Sequence, residues 1–458
     1  MTDLNMRALA DFRAGFTGNV LLPGDAGYDD ARTIYNVMID RRPSVIAQCE
    51  NAGDVSRAVR FGRESGREIA VRGGGHGVAG KALSDGGMVI DLRRMHSVTV
   101  DPEARTARVD AGALMTHLDR ATQPYGLATT GGRVSSTGVA GYTLSGGSGW
   151  LERKYGLTCD NLLSVELVTA DGETVHASAD SHPDLFWALH GGGGNFGVAT
   201  SLTFRLHRVP TATAMLLVWR AEAGPEILRA YRDFMKSAPE EVGGAFAYIT
   251  GPTAPFVPEP LAGKLACTVV ITYAGGEGEA RDVSAPMLEL GHDGAMIAEM
   301  PYAELQCMSD EPAIYRNYYS AEYLTAFPDE AADRYSARAR DMVVPSPSQQ
   351  TLLPLGGAVT NGTSDYPIPW RRAQWAVHPY GMWDSPDDDE RVRRWARDLR
   401  ADVRPWSTGS VYLNFIGDEG DDRIVEGVGQ DNYRRLAAIK SRYDPDNVFH
   451  LNHNIKPG

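Results

Sequence analysis

The sequence predicts an α+β fold, made of two α/β subdomains and a further domain with an antiparallel sheet covered by helices. Short strands alternate with helices over residues 1–210, and longer strands separated by helices follow over 211–405. The segment 406–458 has the pattern of a return to the first domain. A chain of 458 residues is about three times the size of a typical domain, so this division is expected.

The first 210 residues combine short apolar runs with one clear helical pattern. Val55, Ala58 and Val59 stand at helical spacing, which predicts a helix capped by Asp54 and ending near Ser65. The other elements predicted here are strands at Ile69–Gly73 and Gly87–Leu92, hairpins at 98–109 and 163–177, and a short helix from Pro183 to Gly191.

Residues 211–405 contain longer alternating strands. These are predicted at Met215–Trp219, Ala245–Thr250, Leu265–Tyr273, Gln349–Leu355 and Gln374–Tyr380. Helices are predicted near 225–236, 278–290, 328–341 and 387–402, and another at Gln430–Tyr443 in the tail. Long antiparallel strands with crossing helices are typical of a sheet with one covered face.

Bulk composition excludes several classes of function. With 45 Lys+Arg against 59 Asp+Glu, the net charge is −14, and without a cationic run we expect no nucleic-acid partner. No apolar segment is long enough for a membrane span, and the N-terminus lacks a signal-peptide core. Four cysteines far apart argue against a zinc site or a disulfide framework, so we expect a cytoplasmic protein without a metal.

Glycine is the one residue in clear excess. There are 50 glycines, where average usage would give about 32. They concentrate at Gly73–Gly80, Gly131–Gly149 and Gly191–Gly197. Because glycine lets backbone approach another group closely, these clusters are the first candidates for a binding site.

The first cluster has the features of a phosphate-binding loop. Consecutive glycines leave backbone N–H groups uncovered, and such groups bind anions. The loop has neither the Lys-Ser/Thr end of a P-loop nor the G-x-G-x-x-G spacing of a Rossmann NAD site. His76 is flanked by glycines, so its ring has room to reach a ligand.

The second cluster combines glycines with small hydroxyl residues. Such a stretch lets backbone cover a flat ligand at contact distance. The third cluster is compatible either with a flexible turn or with another loop of the same domain.

Several ordered motifs resemble one enzyme family. They are R-G-G-G-H-G at 72–77, T-G-x-x-G-x-T-L-S-G-G at 137–147, R-K-Y-G-L at 153–157 with D-N at 160–161, F-W-A-L-H-G-G-G-G-N-F-G at 186–197, and Y-D-P-D-N-x-F at 443–449. Together they resemble the FAD-linked oxidases of the vanillyl-alcohol-oxidase superfamily, with a PCMH-type FAD-binding domain. Within it, the chain is similar to the berberine-bridge-enzyme-like group, including bacterial 6-hydroxynicotine oxidases and antibiotic-pathway flavin oxidases.

The resemblance implies an FAD-binding domain at 1–210, a substrate domain at 211–405 and a berberine-bridge-like C-terminus at 406–458. The residues expected to bind FAD are Val71, Arg72, Gly73, Gly74, Gly75, His76, Gly77, Thr137, Gly138, Gly141, Gly146, Gly147, Gly149, Asn161, Val165, Tyr412, Asn414 and Asn452. The partners expected are a small-molecule substrate and dioxygen, and a homodimer is one assembly compatible with the sequence.

The resemblance also implies how the flavin is attached. The family's histidine in the first loop commonly bonds to the flavin 8α-methyl, so His76 is the expected tether. A second tether, a cysteine in many relatives, is replaced here by Val134, and Cys159 lies too far along the chain to substitute. Thr137 falls where the family places a residue beside flavin C4a, and its small side chain favours oxygen access.

One departure from the family concerns the catalytic base. Relatives that oxidise sugars and alcohols carry Y-x-N-Y, whereas this chain reads Tyr412-Leu413-Asn414-Phe415. A phenol can accept a proton and a phenyl ring cannot, so either another group serves or the substrate needs none.

Candidate catalytic residues are therefore Thr137, Tyr412, Gln349 and Tyr248. Alternation should place Gln349, Thr351 and Leu353 on one side of their strand. Further wall candidates are Tyr302, Tyr318 and Tyr319.

The sequence thus predicts an FAD-dependent oxidase that moves hydride to flavin N5 and electrons to dioxygen. A small aromatic compound, a heterocyclic amine or a secondary metabolite is the expected substrate. The alternatives are a carbohydrate or alcohol oxidase and a non-catalytic flavin-binding protein.

Overall fold

The structure is a computed structural model that describes residues 6–311, 314–362 and 365–458. Three main sheets organise this part of the chain, and the predicted α+β class is confirmed. Within the described residues no helix has the length and apolar character to cross a membrane. The same residues contain no group of three or more His, Cys, Asp or Glu side chains that could hold a metal ion.

The first sheet is small and has a parallel centre. Its region comprises α1 (Met6–Ala14), β1 (Asn19–Leu21), α2 (Tyr28–Ala31), β2 (Val45–Gln48), α3 (Ala52–Glu64), β3 (Ile69–Arg72) and β4 (Met88–Asp91). The strand order is β1-β2-β4-β3, and β4 pairs in parallel with both neighbours. Every residue of β4 is buried, as expected for a central parallel strand.

The cap predicted for α3 is wrong. Asn51, not Asp54, is the N-cap, because its side chain accepts the Asp54 N–H at 2.9 Å. The Asp54 carboxylate instead accepts the N–H groups of Thr17 and Gly18, at 2.8 and 3.1 Å. Asp54 therefore anchors the chain before β1 to the start of α3.

The second sheet is antiparallel, in the order β5-β6-β10-β8-β9. This region contains β5 (Val98–Asp101), β6 (Thr106–Asp110), α4 (Met115–Thr122), β7 (Leu127–Ala128), α5 (Val139–Leu144), α6 (Glu152–Tyr155), β8 (Leu162–Val168), β9 (Thr174–Ser178), α7 (Pro183–Ala188), β10 (Val198–Arg205) and β11 (His207–Arg208). Both hairpins predicted from the sequence, β5–β6 and β8–β9, are present.

The third sheet has eight antiparallel strands, with helices on one face. Its region contains β12 (Ala212–Arg220), α8 (Gly224–Ser237), β13 (Val242–Thr250), β14 (Leu265–Tyr273), α9 (Glu277–Leu288), β15 (Gly294–Met300), α10 (Tyr302–Leu305), β16 (Arg316–Tyr319), β17 (Glu322–Leu324), α11 (Asp329–Arg338), β18 (Gln349–Pro354), α12 (Ala358–Asn361), β19 (Trp375–Trp383) and α13 (Asp389–Val403). The sequence missed β15, β16 and β17, because short or partly exposed strands show too little alternation. The predicted boundaries at 210 and 405 remain predictions with which this sheet is compatible.

The two faces of the third sheet have different neighbours. Phe246, Leu352 and Val377 pack with the helices in one apolar core. Leu353 and Ala376, on the opposite face, join the core of the first two sheets. One side of this sheet therefore faces the rest of the molecule.

The C-terminal segment forms α14 (Asp421–Val428) and α15 (Gln430–Tyr443) and then packs on the first part of the chain. Lys440 is fully buried and pairs with Asp444 at 2.7 Å. Its Nζ also donates to the carbonyls of Asn195 and Phe449, at 2.7 and 3.0 Å. One ammonium group thus joins α15, the tail and the third glycine cluster.

We expect Lys440→Met to destabilise the protein by about 3–5 kcal/mol, because the Asp444 carboxylate would stay buried without its partner. Lys456→Met is the matched control, since Lys456 forms an ion pair with Asp421 in which both side chains are mostly exposed. The control should cost at most about 1 kcal/mol. Equilibrium urea unfolding measures both, and equal midpoints for the two variants would contradict the assigned role of Lys440.

Candidate active site

A cavity of about 340 Å³ lies where loops of the first two sheets, the third sheet and the C-terminal tail meet. This volume is within the range of cofactor and small-molecule pockets. The predicted site residues that line it are Val71, Gly73, Gly74, Gly75, His76, Gly77, Thr137, Gly138, Gly141, Asn414 and Asn452. Residues far apart in sequence, from both ends of the chain, therefore surround one space.

The first two glycine clusters touch each other through their backbones. A Cβ added at Gly74 would lie 2.4 Å from the Gly138 nitrogen, and one added at Gly138 would lie 2.3 Å from the Gly74 nitrogen. Any larger residue at either position would separate the loops. The loop after β3 and the loop before α5 are thus held as one wall of the cavity.

His76 projects from the first loop and is half-buried at the cavity. Its ring stacks on Tyr35 with centroids 3.7 Å apart, and its Nε2 lies 3.1 Å from the Ser136 hydroxyl. Burial lowers the pKa of His76 to about 4, although Asp310 opposes the shift. The imidazole is therefore neutral at neutral pH, the form in which a ring nitrogen can act as a nucleophile.

Arg72 does not serve the cavity as predicted. Its side chain is 4% exposed, and its guanidinium donates to the backbone carbonyls of Ala31 and Thr33. Burial, together with the nearby charge of Arg93, lowers the pKa of Arg72 to about 10. Arg72 thus supports the segment that leads to Tyr35 instead of facing a ligand.

Three glycines predicted to line the site pack against protein instead. A Cβ at Gly146 would meet Trp370 and Tyr412 at 3.3 Å, and one at Gly149 would lie 1.9 Å from the Gly131 carbonyl oxygen. Gly147 has a φ of +87°, which disfavours other residues. Ser145 and Ser148 of the same stretch line the cavity. These three glycines therefore allow close packing behind the residues that line the cavity.

Asn161 and Val165 are also outside the lining. The Asn161 amide donates to the carbonyls of Tyr155 and Leu157, both at 3.0 Å, and closes the turn before β8. Val165 is fully buried within the core of the second sheet. Asn161 therefore stabilises a turn and Val165 packs in a strand, and neither side chain lines the cavity.

Tyr412 is fully buried and lies outside the cavity lining, whereas the sequence predicted direct contact with the ligand. Its hydroxyl accepts the Gly147 N–H at 2.9 Å and the Asn414 amide at 2.7 Å. Tyr412 thereby holds Asn414, which does line the cavity, and ties the C-terminal segment to the second glycine cluster.

Of the two catalytic candidates from the third sheet, Tyr248 is misplaced. Tyr248 is 2% exposed and packs beside Tyr335 in the core that faces the helices. Tyr248 in β13 pairs with Gln350 in β18, and both residues lie on the helix-facing side of the sheet. Gln349 lies on the opposite face beside Tyr380, as alternation predicts, but outside the cavity lining.

Among the other tyrosines considered, only Tyr319 lines the cavity. Tyr302 is buried beneath the sheet next to Leu305, and Tyr318 packs on the helix side. The sequence missed Tyr35, Tyr142 and Tyr380, which line the cavity from three separate parts of the chain. No local pattern distinguishes these tyrosines from core residues.

The third glycine cluster is a wall of the cavity, contributed by Gly192, Gly193, Gly194, Asn195 and Gly197. The Asn195 amide donates to the Gly192 and His453 carbonyls, at 2.7 and 3.1 Å, which joins this cluster to the tail. Its glycine content was a signal that could have assigned it to the site.

The cavity fits a flavin dinucleotide. Gly77, Gly141 and Gly194 present bare backbone, since a Cβ at each would meet no atom within 4 Å. The Asn452 Oδ1 is buried and has no hydrogen-bond partner among the described residues. Uncovered backbone N–H groups can donate to a pyrophosphate, and the unpartnered Asn452 oxygen can accept from an N–H on a polar ring edge.

Comparisons with known proteins agree with this geometry. Residues 43–178 match the family model described as FAD binding domain. Residues 412–456 match the model described as berberine and berberine like. The second match covers the tail that carries Tyr412, Asn414 and Asn452.

Full-length relatives are also found. The chain is 31% identical over 456 residues to (R)-6-hydroxynicotine oxidase of Paenarthrobacter nicotinovorans, covering 96% of this chain and 97% of that protein. It is 28% identical over 451 residues to the FAD-linked oxidoreductase YgaK of Bacillus subtilis strain 168, with 96% and 97% coverage.

Solved structures share the architecture. The crystal structure of 6-hydroxy-D-nicotine oxidase from Arthrobacter nicotinovorans superposes with a TM-score of 0.87 and 29% identity, covering 97% of this chain and 99% of that one. A chitooligosaccharide oxidase superposes with a TM-score of 0.85 at 23% identity, covering 98% of this chain and all (100%) of that one, which shows the fold alone. The chain belongs to the FAD-linked oxidoreductases of the berberine-bridge-enzyme-like family.

Proposed function

We propose that the protein is an FAD-dependent oxidase of a small aromatic compound, a heterocyclic amine or another secondary metabolite. The observation that carries the proposal is that the glycine loops with His76 and the aromatic side chains Tyr319 and Tyr380 line the same cavity. Bound FAD would supply a two-electron acceptor for a substrate that loses a hydride and a proton, and dioxygen would take up these two electrons and two protons to become hydrogen peroxide. Full-length similarity to an oxidase of 6-hydroxynicotine supports this chemistry.

The residues of the chain divide the work between holding FAD and holding the substrate. The cofactor would be held by the backbone of Gly73–Gly77, Thr137–Gly141 and Gly192–Asn195, and His76 would be its covalent tether. Val134 lines the cavity where relatives can carry a second tether, and a valine forms no such bond. A single covalent attachment follows.

Proton transfer in this site does not use the side chain at position 415. Phe415 lines the cavity and stacks on His378 with centroids 4.0 Å apart, and it has no group that accepts a proton. Burial raises the pKa of the neighbouring Tyr380, so its hydroxyl stays protonated at neutral pH. This disfavours alcohol oxidation by a tyrosinate base and favours a substrate that loses its proton readily.

An anaerobic bleaching screen tests the function. The holoenzyme is mixed without oxygen with panels of aromatic compounds, amines, alcohols, sugars and polyketide mimics, and loss of yellow absorbance reports reduction. Admission of air should restore the colour and release hydrogen peroxide. Bleaching by sugars alone would favour the carbohydrate oxidase, and no bleaching by any panel would favour a non-catalytic flavin-binding protein.

We expect His76→Ala to lose the covalent flavin. After denaturation and filtration, the yellow absorbance should stay with the parent protein and leave the variant. His453→Ala is a matched control, because His453 also lines the cavity but lies outside the first loop. Colour that remains bound to denatured His76→Ala would overturn the tether.

We expect Thr137→Leu to slow reoxidation by at least about tenfold, because leucine adds bulk on the cavity side of the second glycine cluster. Thr137→Ser should reoxidise at about the parent rate. Stopped-flow absorbance after anaerobic reduction with dithionite measures both variants. A leucine variant as fast as the parent would remove the oxygen-access role from Thr137.

A further inference from the structure

Four aromatic side chains form one side of the cavity, here called the aromatic wall: Tyr35, Tyr319, Tyr380 and Phe415. Tyr319 and Tyr380 come from the paired strands β16 and β19, with ring centroids 4.9 Å apart and planes at 75°. Phe415 adds a third ring, 6.1 Å from Tyr380. The glycine clusters and the C-terminal residues Asn414, Asn452 and His453 line other parts of the cavity, and the aromatic wall supplies the large apolar rings that can contact a substrate.

The polar groups of the aromatic wall are the hydroxyls of Tyr35, Tyr319 and Tyr380, each of which has one hydrogen to donate and can also accept. The hydroxyls of Tyr35 and Tyr319 lie 3.2 Å apart, and that of Tyr35 also reaches the Met382 sulfur at 3.6 Å. The Tyr380 hydroxyl, in contrast, makes no hydrogen bond to the described residues. Burial raises the pKa of all three tyrosines, so each keeps its proton.

Among the described residues, the Lys and Arg side chains that line the cavity form ion pairs with protein carboxylates. Lys81 pairs with Asp418 at 3.0 Å, and Arg133 pairs with Glu152 at 3.0 Å. None of the described residues that line the cavity carries a carboxylate. Glu311 acts electrostatically on Tyr35 and Tyr319 from outside the lining, and burial raises the pKa of its carboxyl.

These features select against two classes of ligand. An ammonium group entering this cavity would lose its hydration and find no carboxylate among the described lining residues, which costs several kcal/mol unless the group becomes neutral. A sugar needs a hydrogen-bond partner for each buried hydroxyl, and the aromatic wall offers too few. A flat aromatic ring, in contrast, can pack face-to-edge or in offset stacks against the Tyr and Phe rings of the wall.

We propose that the aromatic wall binds a flat, uncharged aromatic substrate through a carbonyl or phenolic oxygen that accepts a hydrogen bond from Tyr380. The Tyr35 hydroxyl donates to the Met382 sulfur and accepts from Tyr319, so Tyr380 is the hydroxyl of this wall left to donate to a ligand. This inference rests on the proposed function and narrows its substrate class, and Tyr380 is the residue that determines specificity.

Binding to the oxidised holoenzyme, measured by equilibrium dialysis, tests the inference without requiring turnover. The probes are chromone, which carries a ring carbonyl; chromane, which lacks it; the cation 1-naphthylmethylammonium; and cellobiose. Chromone should bind more tightly than each of the other three. Tighter binding of the cation or of the disaccharide would overturn the proposal.

The role of Tyr380 is tested by Tyr380→Phe with the same probes. Loss of one hydrogen bond should weaken chromone binding by about fivefold and leave chromane binding unchanged. Tyr318→Phe is the matched control, since Tyr318 precedes Tyr319 in β16 but packs on the helix side. Equal chromone affinity in Tyr380→Phe and the parent would overturn the assignment.

The two proposals fail in different ways. If the bleaching screen finds a substrate but chromone shows no preference over the cation, the oxidase stands and this inference falls. If chromone and Tyr380→Phe behave as expected while no compound bleaches the flavin, the binding inference stands and the oxidase falls.

Discussion

The active site depends on direct contact between two stretches of backbone. At Gly74 and Gly138 the loops of the first two sheets approach so closely that a single methyl group would lie 2.4 and 2.3 Å from the opposite nitrogen. Two backbone bonds fix the second loop against the start of α4: Val139 and Met115 donate their N–H groups to the carbonyls of Ala113 and Thr137, respectively, each at 2.9 Å. His76 and Thr137 are therefore positioned by packing between two sheets and not by either loop alone.

The C-terminal segment completes this arrangement through buried polar groups. The Tyr412 hydroxyl accepts hydrogen bonds from Gly147 and Asn414, and Lys440 bridges Asp444 to the third glycine cluster at Asn195. Because unpaired polar groups are costly in the interior, each bond fixes the tail in one position. Tyr412, which a sequence motif associates with the cofactor, therefore supports the lining residue Asn414 without lining the cavity itself.

The third sheet lines the cavity with aromatic side chains, whereas the glycine loops line it with backbone. Its inward face presents Tyr319 and Tyr380, whereas Tyr248 and Leu352 on the outward face pack against the helices. Alternation along β18 correctly placed Gln349 on the inward side. The same rule did not identify Tyr380, since β19 is buried on both faces and its residues do not alternate between apolar and polar types.

The sequence by itself determined the fold class, the family, both hairpins of the second sheet and the two glycine loops that meet at the cavity, because these depend on local patterns and on ordered motifs. It could not separate glycines that line the cavity, such as Gly141, from those that pack behind it, such as Gly149, because both share one motif. Only the tertiary structure decided which tyrosines face the cavity, since Tyr35, Tyr319 and Tyr380 come together through contacts between distant segments. Strand register and sheet packing set the direction of each side chain, and neither is encoded in a short stretch of residues.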